Sequence, residues 1–169
     1  MALRRSRLSV CPSVDLVTHA RAALAGARYH LARIQREIST MRRTPGSHNA
    51  NVNTLHWHLR AFFWELVATM ETTTWVVSPD RRFPTRSPEG SELEQAKESG
   101  WWQEVEELRN LAHRAFLFLQ AEVHADGRLI HLVLPSLPHS AQHAVPDRLE
   151  YYVGKMTNLQ RRVLPGSDP

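Results

Sequence analysis

Arg109, Asn110 and His113 place a guanidinium, an amide and an imidazole within about one helical turn of an otherwise hydrophobic stretch, Glu107 to Phe116. At about 100° per residue, Arg109 and His113 stand only about 40° apart on a helix, and Asn110 lies about 100° round from Arg109. An imidazole titrates near neutrality and can act as general acid or base toward a ribose 2′-hydroxyl or a leaving oxygen. A guanidinium can hold the scissile phosphate, and an amide can orient either group. This would be metal-independent cleavage of a phosphodiester. The same groups can equally tie helices together, with Arg109 paired to Glu65 or Glu71 and His113 satisfying a carbonyl or carboxylate at a helix contact. A pattern as short as Arg-x-x-x-His leaves both readings open.

Arg60 and Arg114 add guanidinium forks of the kind that hold substrate phosphates. The run from His56 to Glu65 is dense in aromatic and titratable groups. His56 and His58, two apart, point to different faces of a helix and cannot chelate one ion. His58 and Glu65, seven apart, share a stripe from which an imidazole and a carboxylate could join a metal site in a bundle. No Glu-x-x-His accompanies them on these helices, so neither a metal nor a cofactor is expected. His139 and His143 have the spacing of a helical clamp, but Pro138 and Pro146 bracket them and predict a loop. Trp57 and Trp64 are expected to face a partner element or a second chain. In the Trp101-Trp102 pair one ring must point away from the core, which makes these four tryptophans the interface candidates.

These groups need elements to hold them. Val17, Ala20, Leu24, Ala27, Leu31, Ile34, Ile38 and Met41 keep a three-and-four spacing that predicts a long amphipathic helix. Ser13 or Asp15 would cap it, Thr44-Pro45-Gly46-Ser47 would stop it, and Arg21, Arg28 and Arg42 share its outer face. A second helix follows Val52, Leu55, Leu59, Phe62, Leu66, Thr69 and Thr73. Three prolines between Ser78 and Gly90 then predict an irregular connector, about 78–91. A third helix runs through Trp101, Val105, Leu108, Ala112, Ala115 and Leu119. A fourth, opened by Pro146-Asp147, carries Leu149, Tyr152, Met156, Leu159 and Val163. Between them the period changes around Ala125-Asp126-Gly127, which predicts a small β-hairpin from Gln120 to Leu134; the alternative continues helix three to about Ala125. Four such stripes satisfy one another by packing together, so the expected fold is predominantly all-α, a four-helix bundle with a hairpin before the last helix.

At 169 residues and 42% hydrophobic content the chain suits one domain, 1–169, with flexible ends about 1–12 and 164–169. Its net charge of +4 is modest, and arginine carries nearly all the positive charge, since Lys97 and Lys155 are the only lysines. Single Cys11 excludes an internal disulfide framework and a cysteine zinc site, which points to a reducing compartment, the cytoplasm. No apolar run reaches the ~18 residues of a membrane span, so no membrane partner is expected. The absence of a Gly-rich phosphate loop and of a serine nucleophile elbow leaves nucleotide phosphoryl transfer and acyl-enzyme chemistry unsupported.

Arg109-Asn110-Leu111-Ala112-His113 resembles the motif of the HEPN superfamily, helical-bundle proteins whose active members are ribonucleases with an Arg, often a following polar residue, and a His. Here three residues intervene, one fewer than the usual minimum. The resemblance implies that Arg109, Asn110 and His113 are catalytic. It also implies a homodimer with the site at its interface, an RNA substrate, and a toxin or defence role in which an antitoxin protein is a partner. A non-catalytic bundle that pairs chains through helix two and the Trp101-Trp102 region is the reading of a different class. A metal-dependent bundle enzyme is a third.

Overall fold

The computed structural model describes residues 15–46, 48–78, 87–114, 119–135, 143–164 and 166, with the backbone alone for 48–51. The chain is predominantly helical: α1 (Leu16–Arg43), α2 (His48–Val77), α3 (Pro88–Glu98), α4 (Gly100–Arg114) and α5 (Val145–Val163), with β1 (Gln120–Val123) and β2 (Leu129–Val133) between α4 and α5.

The apolar stripe of α1 is buried throughout from Ala20 to Met41, while Arg21, Arg28 and Arg42 stay exposed. Asp15 opens the helix, its carboxylate accepting from the Val17 amide at 3.1 Å and from the Thr18 hydroxyl. These bonds, the Thr18 hydroxyl first, hold the Asp15 carboxyl below its ordinary pKa. At the other end Gly46 takes φ +70°, the left-handed turn that a glycine makes without a Cβ penalty. Helix α2 lies along α1 and is also packed by α4 and α5. Leu55, Leu59, Phe62, Phe63 and Leu66 of α2, Tyr152, Met156 and Leu159 of α5, and Val105 and Leu108 of α4 meet in one core.

Two polar ties cross that core. Gln160 on α5 donates to the Ala20 carbonyl of α1 at 3.0 Å and to Thr73 Oγ1 of α2 at 3.2 Å, so one amide joins three helices. Glu104 on α4 pairs with Arg148 on α5, whose Nε also donates to Tyr152 Oη at 3.2 Å.

Among the described residues there are five helices where four were expected. Helix α3 begins inside the expected connector, because Pro88 sits where a helix accommodates proline, in its first turn, and acts there as a starter. Ser87 caps it, Oγ accepting from the Gly90 amide at 3.0 Å, and Glu89 sits in the first turn. The remainder of that connector, 79–86, lies outside the described residues. Leu164, placed by sequence at the start of a fraying tail, is instead buried against the core, and the Gly166 carbonyl accepts from Arg21 at 2.9 Å. Ser13, Ala115 and residues 1–12 also fall outside the described residues.

The hairpin forms as the Asp-Gly signal predicts, antiparallel with Gln120 opposite Val133 and Glu122 opposite His131. Gly127 takes φ +79° in its turn, and Asp126 accepts from the Arg128 amide at 3.1 Å. Leu119, expected on helix three, precedes β1, so that helix does not run on to Ala125. The buried side chains of β2, Leu129 and Leu132, attach the hairpin to the core.

Candidate functional site

Helix α2 is amphipathic in an unusual way. Its inner face is fully buried, yet its outer face carries Trp57, Trp64 and Trp75, exposed by 61%, 57% and 41%. Steps of seven and eleven residues are close to two and three helical turns, so the three rings fall on one line about 27 Å long. Arg60, Ala61 and Glu71 lie beside the same line. Helix α4 packs along this edge of α2 and turns Arg109 and His113 towards it.

The two residues open onto separate hollows. His113 is exposed in the last turn of α4 and shares a hollow of about 390 Å³ with Trp57, Arg60, Ala61, Trp64 and Glu65. Its Nδ1 lies 3.5 Å from Nη2 of Arg60, the outer limit of a hydrogen bond, and its ring stands 6.2 Å from that of Trp64. Arg109, one turn earlier and half-buried, lines a second hollow of about 360 Å³ with Glu71, Glu106, Lys97, Trp75 and Trp102. Its Nε is buried and hydrogen-bonded to nothing among the described residues. Asn110 and Arg114 are exposed on α4 and line neither hollow.

The structure therefore brings His113 to Arg60 and Arg109 to the neighbourhood of Glu71. A turn of helix carries a residue about 5.4 Å along the axis as well as back to its starting face, and this is enough to set Arg109 and His113 beside different turns of α2.

The four interface candidates divide. Trp57 and Trp64 are exposed as expected. Trp102 is buried in the core at the α4 end, and Trp101, half-buried, packs on that core beside it with ring centroids 5.7 Å apart. Trp75 completes the exposed line and was legible in the sequence only by extending the Trp57-Trp64 spacing. His143 is half-buried outside any helix, its carbonyl accepting from the Leu134 amide at 3.1 Å. His139 lies outside the described residues.

Sequence spacing did not reveal a second histidine for His58. His30 of α1 meets it across the α1–α2 seam with the two Nδ1 atoms 3.0 Å apart. Burial depresses the pKa of both imidazoles. His58 further disfavours charge on His30, and Arg33 does so on His58, against the weaker opposing pull of Glu65 and Glu37 respectively. Among the described residues no three His, Cys, Asp or Glu side chains are gathered closely enough to enclose a metal ion, and no helix is long and apolar enough to cross a membrane. No family model, curated protein or solved structure matches this chain.

Proposed function

We propose that the chain is a HEPN-like four-helix bundle, with α1, α2, α4 and α5 as its long helices, acting as a metal-independent endoribonuclease at the His113–Arg60 hollow. One observation carries this reading: an exposed imidazole, with a guanidinium 3.5 Å from its Nδ1, sits in an open hollow flanked by two tryptophans. In its unprotonated form His113 takes the proton of a ribose 2′-hydroxyl. The 2′-oxygen then bonds to phosphorus, the bond to the 5′-oxygen breaks, and that oxygen takes a proton from the imidazolium or from water, leaving a 2′,3′-cyclic phosphate. Arg60 holds the phosphate and its developing charge, and Arg114, exposed next to His113, extends the positive surface along the RNA backbone. Asn110 orients RNA at the edge of the site. Arg109 contributes from the adjoining hollow as a second phosphate contact.

The test is cleavage of a mixed single-stranded and structured RNA in EDTA by wild type, His113→Ala and Arg60→Ala. Cleavage by the wild type, lost in folded His113→Ala, is expected. Equal cleavage by both, or none by either, would defeat the reading.

A second reading is favoured by the tryptophan line itself. Three exposed indoles on one helix face form the kind of apolar surface that soluble chains cover by association, and a homodimer formed through α2 would bring two His113 hollows together. In the toxin or defence setting that the HEPN resemblance implies, an antitoxin protein would cover this same face. Dimerisation without cleavage would make the chain a binding or assembly protein of the cytoplasm. Light scattering on the well-folded chain separates the two, since a concentration-independent monomer removes the assembly reading.

A further inference from the structure

The hollow on the Arg109 side is lined by charges that do not neutralise one another. Glu71 of α2 and Glu106 of α4 bring two exposed carboxylates to a space of about 360 Å³ that Arg109 and Lys97 also line. Among the described residues no ion pair joins either acid to either base, and Lys97 pairs instead with Glu94 of its own helix at 3.5 Å. Arg109 is half-buried, so its guanidinium is held in place without an acidic partner among the described residues. The other walls are apolar. Trp75 follows Glu71 by one helical turn, which sets an indole and a carboxylate side by side on one face of α2. Buried Met70 and Trp102 line the inner side.

A ligand suited to these walls is planar, to lie on the indole, with paired donors along one edge for a carboxylate and acceptors along another for a cation. A phosphate by itself is a poor occupant, because two carboxylates repel it. Among the four RNA bases guanine has this layout. Its N1–H and N2 amine donate side by side on the Watson–Crick edge, and its O6 and N7 accept on the neighbouring edge. Adenine and cytosine each mix a donor with acceptors there, and uracil sets one donor between two acceptors.

We infer that this hollow is a guanine subsite. Trp75 stacks on the base, Glu71 accepts from N1–H and the N2 amine, Glu106 takes the other N2 hydrogen, and Lys97 donates to O6. Arg109 holds the adjoining phosphate. The inference rests on the nuclease reading for the source of the base, an RNA strand. Arg109 precedes His113 by about 6 Å along α4, on the order of one nucleotide step of an extended strand, so the guanosine lies beside the phosphate that is cut.

The experiment uses the full chain and ligands that need no cleavage. The four nucleoside 3′-monophosphates are titrated by calorimetry and by tryptophan fluorescence. The guanine nucleotide is expected to bind at least about tenfold more tightly than the other three, with quenching that is reduced in Trp75→Phe. The inosine nucleotide, which lacks only the N2 amine, should bind about tenfold more weakly than the guanine one. Glu71→Gln, an exposed change, should abolish the preference and leave adenine-nucleotide affinity as it was. No binding, equal binding of all four, or a preference unchanged in Glu71→Gln would overturn the inference. A 2′-deoxy trinucleotide centred on guanine, which cannot be cut through a 2′-oxygen, should bind more tightly than the mononucleotide. Equal affinity there would keep the guanine subsite and detach it from RNA. Guanine preference without RNA cleavage defeats the nuclease reading alone, and cleavage without guanine preference defeats the subsite alone.

Discussion

Nη2 of Arg60, in the middle of α2, lies 3.5 Å from Nδ1 of His113 in the last turn of α4. The pair joins two helices at an exposed hollow and rests on no buried contact. His113→Ala is therefore expected to change stability by less than about 0.5 kcal/mol, while reducing RNA cleavage by about 10²–10⁴-fold. Circular dichroism and a single-turnover assay on the same preparation check both halves. Arg60→Lys should recover only part of what Arg60→Ala loses, because an ammonium lacks the bidentate fork.

Trp64 stands at the centre of the exposed line, between Trp57 and Trp75. If α2 pairs two copies, Trp64→Ser should weaken the dimer by about 2 kcal/mol, roughly thirtyfold in the dissociation constant, with little effect on the unfolding of the monomer. Sedimentation equilibrium across a concentration series measures it.

Glu104 is buried, and Arg148, its partner, is largely so. Burial, with the Glu104 carboxylate alongside, also pushes the Tyr152 hydroxyl far above the ordinary tyrosine range. Removing the acid strands a guanidinium beside that ring, so Glu104→Ala should cost about 2–4 kcal/mol, less than a fully buried pair because Arg148 keeps some access to water. Urea unfolding should show a lower midpoint with an unchanged slope.

Gln160→Ala removes the amide that bonds the Ala20 carbonyl and Thr73 Oγ1. A loss of about 1–3 kcal/mol is expected from the polar atoms left behind in the core. Gln160→Leu, which restores the volume, should lose less. Equal losses would show that packing and not hydrogen bonding makes the site matter.

Gly26→Ala sets two effects against each other. Alanine in a helix interior gains up to about 1 kcal/mol over glycine, while the new Cβ meets the Glu65 carboxyl group at 2.9 Å. A glutamate end is flexible and half-exposed here, so the helical gain should win and the melting temperature should rise slightly. A lower melting temperature would mean that Glu65 is held where it is.

The sequence by itself determined the helices that carry an apolar stripe. Ala20 to Met41 on α1, Leu55 to Leu66 on α2 and Leu149 to Val163 on α5 are buried where their spacing put them, because three-and-four periodicity is a local property of the backbone. The Asp126-Gly127 turn was legible for the same reason. Pro88 misled, since one residue type stops a helix from inside and starts it from the first turn, and only Ser87 and Glu89 around it distinguish the two cases. The tertiary structure decided which faces meet. Arg109 and His113 share a helix face, yet the turns of α2 opposite them send one towards Glu71 and the other to Arg60. His58 found His30, and Glu104 found Arg148, across 28 and 44 positions of chain. Periodicity states that a helix has a buried side; it does not state what lies opposite, because that depends on the crossing and offset of two helices, which no local spacing encodes.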